Sequence, residues 1–241
     1  MTASKKALCR FNEADGLLKY EHAEGIFPKN VLVSLREKLA QLSQTELATD
    51  KKDLAAVSRG EKTVEVRLNK VWFDAWKSLT PKGRELLGDF KYVIYPPQVR
   101  QMSEQSHYVP WHQDIAFGRL MPKPHEHLIT CFIPIEDEPE LHSTIRFAKD
   151  YQHNAIEHQA SGKFGAGITN FQFDDTVTFD LNLGDALVFG ALVPHQTYTP
   201  PNKIVERRSL EFRLVTQNNR VAGKDYFDID THQFVCLPEE E

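Results

Sequence analysis

From residue 90 onward the chain is divided into short apolar runs, each closed by turn-forming residues, and this pattern constrains the fold most. Residues 90–95 form an aromatic and β-branched run stopped by Pro96-Pro97. Residues 128–135 are almost continuously apolar. Val177, Phe179, Leu181 and Leu183 alternate with other residues until Gly184-Asp185 marks a turn into residues 186–189. Leu210, Phe212 and Leu214 then alternate with Ser209, Glu211 and Arg213, which places the two sets on opposite faces of a strand. Many short strands without interleaved long helices predict an antiparallel sandwich or barrel.

The part before residue 90 reads differently. After Pro28, the residues Val31, Leu32, Leu35, Leu39 and Leu42 recur near a helical period. A second helix is expected from Thr63, through Val66, Val71, Trp72, Ala75, Trp76 and Leu79, up to a break at Pro81. The expected organisation is an N-terminal helical region over 1–89 packed on a β core over 90–241. The 241 residues suffice for one such unit with a substantial core. The net charge of −5 offers no basic field for nucleic acid or an anionic membrane. Cys9, Cys131 and Cys236 are widely spaced and form no Cys-x-x-Cys, which argues against a disulfide framework or a thiolate metal site. With no long apolar span and no signal-like apolar core in residues 1–21, a soluble cytoplasmic protein is expected.

One segment carries recognisable chemistry. Trp111-His112-Gln113-Asp114 contains His-x-Asp, and in an extended chain residues i and i+2 project to one side. His112 and Asp114 can then reach one metal ion, although a His beside an Asp is also an ordinary hydrogen-bonding pair. Downstream, Pro194-His195 follows the apolar run 186–189, where an antiparallel neighbour would bring His195 toward the pair. Two imidazoles and one carboxylate on one face of an ion leave its other positions open, the facial arrangement of non-haem Fe(II) oxygenases. A carboxylate co-substrate would also need a cationic anchor, which the planar fork of an arginine suits well. Arg207 and Arg208 both stand twelve to thirteen residues past His195, with Arg213 a more distant third.

Trp-His-Gln-Asp, then Gly-Asp-x-x-x-Phe-x-x-x-x-x-His, then Arg-x-Ser resembles the phytanoyl-CoA dioxygenase-like branch of the Fe(II)/2-oxoglutarate oxygenases. The resemblance runs over roughly residues 90–215 and extends to the strand and helix expected near residues 25–42. It implies a double-stranded β-helix (jelly-roll, cupin-like) core with N-terminal helices. It also implies Fe(II) held by His112, Asp114 and His195, with 2-oxoglutarate and O2 as co-substrates. Arg207 would bind the distal carboxylate of 2-oxoglutarate and Ser209 would add a hydrogen bond; only Arg207 of the two neighbouring arginines gives the Arg-x-Ser spacing. Thr130 shares a strand face with Phe132 and is expected to line the co-substrate pocket. The implied reaction is oxidative decarboxylation of 2-oxoglutarate to succinate and CO2, coupled to hydroxylation of a small molecule. Two departures stand out: the glycine turns that many relatives carry after the third core strand are replaced here by residues 141–150, and the His195 to Arg207 gap is about one residue longer than the family pattern. Asp114 keeps the carboxylate that halogenating relatives replace with a small residue.

Other outcomes remain open at this level. The same cofactors serve desaturation, epimerisation and cyclisation, and a cupin-like metal-binding sensor needs no catalysis. His125 and His127 share a face if extended and form an alternative metal pair, but no carboxylate follows at the required spacing. The remaining histidines, His22, His107, His142, His153, His158 and His232, read as surface residues. Gln113 is expected to point away from the two ligands, and Glu211 to pair with Arg213. Arg119 and Lys123, in the loop after the metal motif, hint at an anionic substrate.

Overall fold

The computed structural model describes residues 10–12, 16–41, 73–94, 97–102, 109–115, 127–152, 154–159, 167–220 and 225–236. An eight-stranded antiparallel sheet combines β1 (Tyr20–Ala23), β2 (Tyr92–Ile94), β3 (Gln98–Met102), β4 (Leu128–Pro134), β7 (Ala186–Gly190), β9 (Arg207–Val215), β10 (Asp225–Asp228) and β11 (Gln233–Cys236). Its order is β1-β7-β4-β9-β2-β10-β11, with β3 also paired to β9. A smaller sheet, ordered β6-β5-β8, holds β5 (Thr144–Ala148), β6 (Thr176–Val177) and β8 (His195–Tyr198). Two antiparallel sheets that close on one another form the expected jelly roll.

Strand β4 is buried along its whole length because it lies between β7 and β9 and is covered on both faces. Its register with β9 pairs Ile129 with Leu214, Cys131 with Phe212 and Ile133 with Leu210 on one face. That face meets the helices. Leu32 and Leu35 of α1 (Lys29–Gln41), Ala75 and Trp76 of α2 (Asp74–Lys77) and Leu86 and Leu87 of α3 (Pro81–Leu87) join these strand residues in one core. Trp76 meets Phe212 edge-on at 5.1 Å and Phe27 at 5.3 Å, the tilted geometry favoured by aromatic quadrupoles. The other face of β4 carries Thr130 and Phe132, opposite Arg213 and Glu211 of β9, and looks between the sheets.

Several local expectations need correction. Most of the helix expected from Thr63 lies outside the described residues; α2 covers only Asp74–Lys77. Pro81 does more than end that segment, because Thr80 caps Gly83 N at 3.2 Å and Pro81 opens α3. The N-terminal third also supplies β1, too short to show alternation and lying before Gly25 rather than after it. The alternating run 177–183 pairs only at Thr176–Val177. Leu181 and Leu183 are instead buried in different cores, which a single strand face cannot do. Among the described residues no helix is long and apolar enough to cross a membrane.

Two glycines fix the helix-to-sheet junctions. Gly184, at φ 106°, lets the turn before β7 approach Phe27, whose N–H donates to Gly184 O at 3.0 Å. Asp185 closes the junction by accepting from Asn182 N at 2.8 Å, Gly25 N at 2.8 Å and the His22 ring at 3.0 Å. Gly88 ends α3 at φ 56°, where a Cβ would lie 1.9 Å from Phe11 O.

Candidate metal centre and its surroundings

The segment 109–112 runs antiparallel beside β8. His112 N and His195 N each donate to the other residue's carbonyl at 2.9 Å, and Thr197 N donates to Val109 O at 3.0 Å. A reciprocal pair of this kind places two side chains side by side on one face. The His112 and His195 rings accordingly stand 4.2 Å apart. Asp114, two residues on, returns to the same side, and its Oδ1 is 3.8 Å from both Nε2 atoms. One donor atom from each residue lies within 4.8 Å of the others, and all three residues are buried. Among the described residues this is the one group of three His, Cys, Asp or Glu side chains so arranged.

The ring orientations follow from the backbone. His112 Nδ1 meets Pro110 O at 2.8 Å and His195 Nδ1 meets Val193 O at 2.8 Å. A carbonyl only accepts, so each Nδ1 carries a proton and each Nε2 is the nitrogen turned toward Asp114. Such outer hydrogen bonds fix the tautomer that a metal ligand needs. Burial holds His195 below its usual pKa despite the nearby Asp114 carboxylate. Burial opposes ionisation of Asp114, but Arg213, both imidazoles and the Thr130 hydroxyl together hold it well below the usual carboxylate range. Near neutral pH Asp114 is therefore a carboxylate and His195 a neutral imidazole. These donors fit a divalent first-row metal ion, and the facial geometry suits iron.

Strand β9 runs beside this cluster, its Arg213 touching Asp114. Arg207, Ser209 and Glu211 are buried on its inward face, whereas Leu210, Phe212 and Leu214 face the helices. The Arg207 guanidinium lies over the Phe132 ring at 4.7 Å. Arg208 instead meets Glu136 through Nε at 3.0 Å and Nη2 at 3.1 Å, a bidentate pair on the other side of the strand. Strand alternation thus separates the two neighbouring arginines and leaves Arg207 as the inward one. Ser209 Oγ is fully buried and has no hydrogen-bond partner among the described residues, as a ligand-facing hydroxyl would.

Some residues take positions that the sequence did not disclose. Thr130, expected in the co-substrate pocket, donates its hydroxyl to Asp114 Oδ2 and so braces that carboxylate. Arg213 Nη2 contacts Asp114 Oδ1 at 3.3 Å, and its Nη1 lies 3.7 Å from Glu211 Oε2. The Glu211–Arg213 pairing expected from strand alternation is therefore only half of Arg213's role. Gln113 does point away from His112 and Asp114, but it is fully buried rather than idle. Its Nε2 donates to Leu192 O at 2.7 Å and Asn154 O at 2.9 Å, and its Oε1 accepts from Ile156 N at 2.8 Å. His158, read as a surface residue, accepts from Gln113 N at 2.8 Å. His22 and His142 are also engaged, with Asp185 and Glu206 O respectively. Alternation alone could have put Thr130, Glu211 and Arg213 inside, but finding their partners needed the β4–β9 register.

Trp111 faces away from His112, packing on Phe173 at 4.7 Å beside a cleft of about 730 Å³ on the outside of the smaller sheet. Arg146 in that cleft lies over the Trp111 and Tyr198 rings at 5.5 and 4.2 Å. His127 lies outside the metal cluster. Its sequence partner His125, together with Arg119, Lys123, Tyr108, His107 and His153, falls outside the described residues.

Comparison with solved structures shows this fold in proteins of low identity. The non-haem α-ketoglutarate-dependent carbocyclase SnoK from nogalamycin biosynthesis is 12% identical, with a TM-score of 0.58, covering 94% of this chain and 86% of its own. The non-haem monooxygenase ThoJ is 17% identical, with a TM-score of 0.52 and coverages of 85% and 76%. EctD from S. alaskensis is 14% identical, with a TM-score of 0.50 and coverages of 91% and 81%. No curated protein matches the sequence. The family model for phytanoyl-CoA dioxygenase matches residues 13–203, well over half of the chain, and spans all three clustered residues. Arg207 and Ser209 lie beyond the matched segment. With motif, fold and family model in agreement, the chain belongs to the phytanoyl-CoA dioxygenase family of Fe(II)/2-oxoglutarate-dependent oxygenases.

Proposed function

We propose that this protein is a hydroxylase of a small-molecule metabolite, with Fe(II) held by His112, Asp114 and His195 and 2-oxoglutarate anchored by Arg207. The observation that carries the reading is the buried facial cluster of two imidazoles and one carboxylate, both imidazoles having Nδ1 tied to a backbone carbonyl and Nε2 turned toward Asp114. When bound, iron with 2-oxoglutarate and O2 supplies the oxidising chemistry, with succinate and CO2 as co-products.

The chain's own residues then do four things. The cross-strand pair of His112 and His195 holds two donors on one side, leaving the opposite side for ligands. Thr130 occupies Asp114 Oδ2 and leaves Oδ1 toward the imidazoles, which favours one-oxygen ligation. Arg207, over the Phe132 ring and buried at the start of β9, would form a bidentate pair with a carboxylate. Ser209, two residues on, offers its hydroxyl to the same group.

The test is formation of succinate from 2-oxoglutarate across a panel of small metabolites, with Fe(II) and O2 present. Product that appears with one substrate class, carries one added oxygen and is abolished in His195→Ala supports the reading. Stoichiometric succinate with a product that has lost two hydrogens and gained no oxygen refutes hydroxylation while retaining the family chemistry.

A further inference from the structure

Asp114 Oδ1 is the donor atom that faces both imidazoles, 3.8 Å from each Nε2, and Arg213 Nη2 lies 3.3 Å from the same atom. A carboxylate oxygen has two lone pairs, so it can accept from the guanidinium and still bind a metal ion. The two cations then draw on one donor. Arg213 is itself shared, since Glu211 Oε2 lies 3.7 Å from its Nη1. All three groups are nearly or fully buried: side-chain exposures are 1% for Asp114, 8% for Glu211 and 10% for Arg213, so their interactions are weakly screened. The placement is built into the sheet. Thr130 and Arg213 are cross-strand partners in β4 and β9, which brings both to bear on one carboxylate, and Glu211 precedes Arg213 by two on the same face.

Building on the metal reading above, we propose that Arg213 and Glu211 are positioning residues that together set the metal affinity of the site. Arg213 pre-orients Asp114 in the metal-free protein and withdraws charge from its ligating oxygen. Glu211 sets how strongly, by taking part of the guanidinium's charge. The arrangement exchanges affinity for a donor set held ready, and the two residues act on affinity in opposite directions. A purely structural role predicts otherwise, because losing either buried partner would then only weaken binding.

The test is calorimetric titration of the metal-free full-length protein with Ni(II), a redox-inert probe, without co-substrate. Glu211→Gln leaves the whole guanidinium charge on Asp114, and Ni(II) affinity should fall about tenfold, the usual scale for partners of metal ligands. The double variant Arg213→Gln/Glu211→Gln removes both charges, and affinity should rise about tenfold above wild type. Arg213→Lys keeps the charge and should stay within about threefold of wild type. Circular dichroism checks folding of each protein. A folded double variant that binds Ni(II) more weakly than wild type, or equally, overturns the proposal. If the double variant does not fold, Glu211→Gln decides alone: affinity equal to or above wild type overturns it. Failure of wild type itself to bind Ni(II) overturns the metal reading, and this proposal with it.

Discussion

Gln113, set between two candidate ligands, gives the most demanding stability prediction. Its side chain is fully buried and makes three hydrogen bonds, two donated to Leu192 O and Asn154 O and one accepted from Ile156 N. Gln113→Leu keeps nearly the same volume, so no cavity opens, but it strands two carbonyls and one N–H in a buried site. Each stranded group costs about 1–3 kcal/mol, and partial relaxation leaves a total of roughly 3–6 kcal/mol. That is a large share of the roughly 5–15 kcal/mol that holds a typical domain together. The loss should also reach the metal site, since the same clamp ties the 112–114 segment to the turn before His195 and to the 154–156 segment. Urea unfolding at pH 7 measures the first effect and Ni(II) titration of the folded fraction the second. A cost below about 1 kcal/mol, with Ni(II) affinity unchanged, would refute the claim that this amide holds the ligand segment in place.

Other consequences are more local. Burial pushes the Asp185 carboxyl up, but the His22 ring and the N–H groups of Asn182 and Gly25 prevail and bring it down to about 2. Its stabilising contribution is therefore complete above the unfolded value of about 3.9 and lost as pH falls through about 2, so Asp185→Asn should cost about 1 kcal/mol at pH 7 after allowance for solvent screening. Stability curves of variant and wild type should converge near pH 2, and a gap that persists there contradicts the assignment. Gly88→Ala should destabilise by at least about 2 kcal/mol in thermal unfolding, because its Cβ would meet Phe11 O at 1.9 Å. Gly25→Ala is the control, with φ 62° but nothing within 4 Å; it should cost only about 1 kcal/mol, and equal effects would remove the close approach as the cause.

The fold was legible where burial follows a simple period. The continuous apolar run 128–135 is the central strand, and Leu210, Phe212 and Leu214 face the helices as their alternation requires. Legibility ended where structure depends on long-range pairing. Tyr20-Glu21-His22-Ala23 shows no strand pattern of its own and becomes one because β7 offers an edge. The 177–183 alternation failed because Leu181 and Leu183 serve different cores. At the site, His112, Asp114 and His195 could be named because their chemistry is rare in combination. The partners of Thr130, Gln113, His158 and Arg213 are not legible, because a hydroxyl, an amide, an imidazole or a guanidinium finds them only through contacts 16 to 99 residues apart in sequence.

The central claim is that one buried site binds Fe(II) and 2-oxoglutarate together, with the anchor on the inward face of β9. The most direct test is anaerobic addition of Fe(II) and 2-oxoglutarate to the metal-free protein, followed by visible absorption. Wild type should develop a metal-to-ligand charge-transfer band, and so should Arg208→Ala, whose side chain is engaged with Glu136. His195→Ala should show none, and Arg207→Ala should need far more 2-oxoglutarate to reach it. No band in wild type, or a band unaffected by both His195→Ala and Arg207→Ala, would contradict the account.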